Sequence, residues 1–200
     1  MAMLVRLLMP LFCCVSSTAA AATLEVTVQG PDGQPIKEAV VRIDAPRAPA
    51  GPIKFDWPYV MAQQNISFQP HVLIVPQGAT VSFPNRDKVR HHVYSASKTH
   101  KFEIKLYGHD ESRSEVFDKP GVVALGCNIH DVMSGFIYVT TSPFTAKTDA
   151  NGHVTIANVP AGAVTLRIWY PSLRTPDNEM REALTLPAGS IAKTIVLKAR

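Results

Sequence analysis

A period of two governs most of this chain. Apolar and polar residues alternate in "TLEVTVQ" (23–29), "AVVRI" (39–43), "ATVSFP" (79–84), "KFEIKL" (101–106) and "VTLRIW" (164–169). Alternation puts every second side chain on one face, so these segments must be strands with one buried side. Gly, Pro, Asp and Asn separate the runs, and 16 prolines among 200 residues leave little room for long helices. Further strands are expected at 66–75, 91–96, 114–118, 121–126, 135–141 and 192–199. Residues 61–65 read as a helical turn, and Asn151-Gly152 as the turn of a hairpin. The fold class is all-β, built as sandwich or barrel.

The chain opens "MAMLVRLLMPLFCCVSSTAAAATLEV", with Arg6, then an apolar run, then small residues. This is the layout of a secretory signal peptide over about residues 1–22. An exported, periplasmic location is therefore expected. Cys13 and Cys14 leave with that segment, so Cys127 is the one cysteine left in the mature chain. It has no internal disulfide partner, and a bare thiol is a liability in an oxidising compartment. Removing Arg6 lowers 20 basic side chains to 19, against 16 acidic ones. That small excess forms no run long enough for a nucleic-acid stripe, and no other segment is expected to span a membrane.

Two strands cannot form a domain alone. The segment 23–43 therefore needs partners, and the strands of 144–200 are the natural ones. This reading makes 23–43 plus 144–200 one discontinuous sandwich, with 59–142 as a second domain inserted into it. The Pro-rich stretch 44–58 is a linker. The competing arrangement is an N-terminal arm that adds a strand to the middle domain.

The stretch "GCNIHDVMSG" (126–135) concentrates chemistry. Cys127, His130 and Met133 are spaced C-x2-H-x2-M between two expected strands. Thiolate, imidazole and a weak thioether are the ligand types of a type 1 copper site, which needs one more imidazole. "NRDKVRHHVYS" (85–95) offers His91 and His92 at the start of a strand, where neighbours face opposite ways. Alternation says that one of them faces the loop, not which. Zinc sites avoid methionine. A Cys–His nucleophile lacks a visible orienting group or oxyanion loop. His71, His100, His109 and His153 read as surface residues, Asp131 as a solvated loop residue, and Trp57 and Trp169 as core.

Taken together, "ISFQPHVLIVPQGATVSFPNRDKVRHHVYS" and "GVVALGCNIHDVMSGFIYV" resemble the cupredoxins of the plastocyanin and amicyanin type. The short Cys-to-Met spacing is similar to that of the amicyanins. The resemblance implies a Greek-key β-sandwich over 59–142 and one type 1 copper ion held by His91, Cys127, His130 and axial Met133. His92 stands where many cupredoxins carry Asn or Ser, and it is either an outer-shell residue or the alternative ligand. "VTVQGPDGQPIKEAVVRI" and "TAKTDANGHVTIANVPAGAVTLRIWYP" resemble the two halves of a smaller carboxypeptidase-regulatory-like (transthyretin-like) β-sandwich. Gly33, Pro35, Ala39, Thr148, Asp149, Gly152, Pro160 and Gly162 carry that match, as turns and strand corners. The whole chain is similar to exported proteins labelled methylamine utilisation protein.

The function these resemblances imply is single-electron transfer between redox protein partners, without substrate chemistry, so the chain is not expected to be an enzyme. The alternatives are a copper-binding or delivery module with no redox role, and a structural interaction protein.

Overall fold

The computed structural model describes residues 20–46 and 48–198. The expected signal peptide lies almost wholly outside the described residues, and the cleavage point near Ala22 falls at the start of the first strand. No helix among the described residues is long and apolar enough to cross a membrane. The chain is all-β. A single 3-10 turn at Pro176–Asn178 is the only helical element described.

Seven strands build one sandwich. β1 (Ala21–Gln29) lies between β13 (His153–Pro160), antiparallel, and β16 (Gly189–Val196), parallel. Facing it is a sheet in the order β12 (Thr145–Lys147), β2 (Val40–Asp44), β14 (Gly162–Trp169), β15 (Glu179–Leu186). The inward residues of both sheets meet in one core, with Leu24, Val26, Ile43, Leu166 and Ile168 at most 1% exposed. Alternating strands bury one side chain in two, as read.

The intervening segment builds a second layered unit. Its five-stranded sheet runs β5 (Val72–Pro76), β11 (Ser134–Thr140), β10 (Gly121–Gly126), β7 (His91–Ala96), β8 (Lys101–Tyr107). The pair β6 (Ala79–Pro84) and β9 (Ser112–Phe117) closes over it, and Val81, Phe83, Val93, Phe117, Val123 and Ile137 fill the core between them. A third apolar cluster joins the two units. Val72, Ile74 and Tyr138 on the outer face of β5 and β11 pack on Val40 and Trp169 of β2 and β14. This explains the unbroken run "VLIV": all five residues of β5 are buried, because Leu73 and Val75 face one core while Val72 and Ile74 face the other.

The structure corrects several local readings. The span 66–75 is two strands, β4 (Phe68–Gln69) and β5, because Pro70 offers no N–H to continue a ladder. Residues 61–65 are not helical: β3 (Ala62–Gln63) pairs with β4, and Asn65 and Ile66 turn the chain at positive φ. The turn at Asn151-Gly152 forms, but it does not close a hairpin. Its flanking strands go to opposite sheets, β12 to β2 and β13 to β1. Thr148 explains the divergence: its N–H bonds Ala39 O, its hydroxyl donates to Ile36 O, and it accepts Ala39 N–H. β15 had no clear sequence signal; its burial pattern shows only Leu186 fully covered, as suits a strand at the sheet edge. Trp57 is not core. It stacks on Phe55 at 4.6 Å, donates Nε1–H to Ile74 O at 2.8 Å, and stays 36% exposed.

Candidate metal centre

The expected ligands come from two loops at one end of the five-stranded unit. The first follows β6. Asn85 is 1% exposed, and its side chain shapes the turn into β7: Nδ2 donates to Val89 O at 2.8 Å and Tyr107 O at 3.3 Å, while Oδ1 accepts Asp87 N–H at 2.9 Å. A buried amide with its bonds satisfied is a rigid strut. The turn carries His91, fully buried, to a position opposite Tyr107 on β8. Just beyond, the ladder bulges, with β8 using one residue more than β7 between His91 and Val93.

The second loop links β10 to β11. Their paired ends, Gly126 and Ser134, hold its two ends side by side. Within it, Met133 N–H bonds His130 O at 2.9 Å, a turn that folds the loop back on itself. Cys127 is 3% exposed and Met133 2%, both in the core cluster, while His130 is half-buried.

The ligand atoms of His91, Cys127 and His130 lie within 4.8 Å of one another. Cys127 Sγ is 3.9 Å from His130 Nδ1, and the two imidazole rings stand 5.0 Å apart. Metal–sulfur and metal–nitrogen bonds of ordinary length put such atoms roughly 3.5–4 Å apart around one ion.

The decisive atom is His91 Nδ1. It is buried and has no hydrogen-bond partner. The other ring nitrogen, Nε2, sits 2.8 Å from Asp87 Oδ2. A carboxylate only accepts, so it holds the proton on Nε2 and leaves a lone pair on Nδ1. A buried lone pair without a donor is costly in a protein interior. Beside a thiol and a second imidazole, it is what a soft metal ion fits.

His92 leaves the other way, as strand alternation requires. It is 6% exposed, its Nε2 meets Glu103 Oε1 at 2.9 Å, and Asn128 Nδ2 lies 3.4 Å from the same nitrogen. Its Nδ1 is also buried and without a partner. An orphan nitrogen therefore does not by itself separate the two histidines; convergence does, because His91 joins Cys127 and His130 and His92 does not.

Asp87 escaped the sequence reading. Its carboxylate accepts Asn65 N–H at 2.7 Å and Ile66 N–H at 2.9 Å as well as the His91 ring. Burial alone would raise its pKa, but these donors together hold it below the usual carboxylate range. The only sequence hint was an acid four residues before His91 inside a basic loop. Tyr107 is pushed far above the usual phenol range by burial, and its hydroxyl donates to Gln63 Oε1. His71, His109 and His153 are exposed, as expected. His100 is not a surface residue: it is half-buried against Phe102 and Phe117 and bonds Glu115 at 2.8 Å. Asp131 is exposed on the loop.

No protein-family model matches the chain, and no curated protein matches it. Solved structures do. The copper-containing nitrite reductase of Thermus scotoductus SA-01 is 30% identical over 48% of this chain and 25% of that one, with a TM-score of 0.40. This chain thus spans about a quarter of that enzyme's length. The reduced Cu(I) form of an amicyanin P52G mutant is 20% identical over 50% of this chain and 98% of that one, TM-score 0.39. A purple cupredoxin of Nitrosopumilus maritimus is 26% identical over 38% and 84%, TM-score 0.35.

Proposed function

We propose that this protein is an exported electron carrier that holds one type 1 copper ion. His91 Nδ1, Cys127 Sγ and His130 Nδ1 would be its close ligands and Met133 its weak one. Bound copper would supply a one-electron couple. The observation that carries this reading is the buried, partnerless Nδ1 of His91, facing a buried thiol and a second imidazole.

The chain's own residues have separate tasks in this reading. Asp87 fixes the His91 tautomer and ring plane, which raises the basicity of the nitrogen that binds. Burial of Cys127 and Met133 excludes water from the sulfur side. Rigid strand ends at Gly126 and Ser134 keep the loop from relaxing between oxidation states. His130 alone reaches toward solvent, so electrons would enter and leave over its ring. His92, held by Glu103 and lying beside Asn128 of the ligand loop, would brace that loop from behind.

We further read the chain as a regulatory-like sandwich of 23–43 and 144–200 with the copper domain 59–142 inserted. The sheet order, in which β1 and β2 pair with strands after 144, supports this. The outer sandwich would then dock the copper domain to a partner.

The test is copper(II) titration of the purified chain. One equivalent should give an intense visible band and the narrow hyperfine splitting of a type 1 site. Cys127→Ser and His91→Ala should abolish both, and His92→Ala should keep them. A colourless copper(II) complex with wide hyperfine splitting, or colour that survives Cys127→Ser, would sink the reading.

A further inference from the structure

The loop between β6 and β7 sorts its side chains by sign. Asp87 turns inward, its side chain 14% exposed and bound to His91 and to the backbone of 65 and 66. Arg86, Lys88 and Arg90 are exposed, and none enters an ion pair among the described residues. The folding-in of the one acid thus leaves three exposed cations, Arg86, Lys88 and Arg90, within five residues, next to His91. Neighbouring carboxylates are engaged: Glu111 pairs with Arg113, and Asp110 lies 3.1 Å from His109. Asp131, on the 127–133 loop, is exposed and enters no ion pair among the described residues.

Apolar side chains accompany the cations. Val89 is 44% exposed, and the adjoining loops add Ile66 at 43%, Ile129 at 47% and Val132 at 82%. The surface is preorganised. Arg86 N–H bonds Gln63 O at 2.9 Å, Asn85 bonds Val89 O, and Asp87 ties the turn bearing Ile66 to the same loop.

We propose that this end of the molecule docks an acidic redox protein. Ile66, Val89, Ile129 and Val132 form an apolar centre over the ligand loop, and Arg86, Lys88 and Arg90 form a one-sided basic rim. The proposal rests on the copper reading above for its redox sense. The net charge of the chain is small, yet local charge sets the field that an approaching partner meets. An apolar centre with a charged rim is the anatomy of a protein–protein contact. A nucleic-acid partner fits less well, because the exposed apolar residues here are aliphatic and offer no base a ring to stack on.

Two experiments on the full chain test this. The first needs no metal. Hexacyanochromate(III), a redox-inert trianion, is added to the nitrogen-15-labelled metal-free protein, and its paramagnetic broadening of amide signals is mapped. Broadening should concentrate on 64–67, 86–92 and 128–132, and should vanish in the triple variant Arg86→Glu, Lys88→Glu, Arg90→Glu. The second uses the copper-loaded protein after reduction to its copper(I) form. Its oxidation by hexacyanoferrate(III) should slow about tenfold between about 0.01 M and about 0.15 M ionic strength. The triple variant should invert that salt dependence, and a cationic oxidant, tris(phenanthroline)cobalt(III), should react faster with it. Broadening spread evenly over exposed amides, or rates indifferent to salt and to charge reversal, overturns the proposal. So does tighter binding of oligothymidylate than of polyglutamate at equal salt through these residues. Because the first experiment involves no copper, failure of the docking face and failure of the copper reading are separate results.

Discussion

Asp87 shows how one side chain can organise a site that it does not join. Its carboxylate accepts hydrogen bonds from the His91 ring and from two backbone N–H groups, so it sets a tautomer and a loop at once. Asp87→Asn keeps the volume but can donate to His91 Nε2, which frees the ring to carry its proton on Nδ1. Copper(II) affinity should fall by about 10–100-fold, measured by competition with a chelator, with the fold intact by circular dichroism. In the metal-free variant, nitrogen-15 shifts should move the His91 proton from Nε2 toward Nδ1. An unchanged tautomer would show that Asp87 acts only as a loop anchor. At this scale the candidate ligand types and their spacing were legible in the sequence, because they sit in short motifs. The partner of His91 was not, because an acid four residues away in a loop has no periodicity to place it.

The turn at 149–152 illustrates what an element owes to local chemistry. Asp149 Oδ1 accepts the N–H groups of His153 and Asn151, and these bonds hold its carboxyl below the usual range, with that to His153 the larger cause. A depressed carboxylate stabilises the fold above its unfolded pKa and loses that contribution as pH falls through its folded pKa. Protection of the His153 amide against hydrogen exchange should therefore be full near neutrality and drop only below the ordinary Asp value of 3.8. Gly152 sits at φ +74°, and a Cβ there would lie 2.4 Å from Val28 O. Gly152→Ala should cost more than about 2 kcal/mol, read as a lower urea midpoint at unchanged slope. The dipeptide announced a turn, and a turn exists. Sequence alternation could not say that its strands part, because Thr148 is captured by residues 36–39, more than a hundred positions earlier in the chain.

On the scale of the whole molecule, Trp169 is the joint. It is 3% exposed and packs edge-on against Phe136 at 5.3 Å and beside Tyr138 at 5.9 Å, between the two units. Trp169→Ala should destabilise the protein by about 3–5 kcal/mol, by loss of buried area and a remaining cavity. The candidate ligands Cys127 and Met133 lie in a different core, so copper spectra of the folded variant should be unchanged. Altered spectra would mean that the two units are coupled through β11. Local pattern was enough for the all-β class, most of the strands and the residue types of the candidate metal cluster, since a period of two and a tight Cys-His-Met loop are local properties. The tertiary structure decided which strands pair across more than a hundred residues, that β5 is buried on both faces, and that His91 rather than His92 meets Cys127. Those outcomes depend on which surfaces meet. Burial against a distant segment gives free energy that no local pattern records, and it orders a histidine pair that alternation alone leaves degenerate.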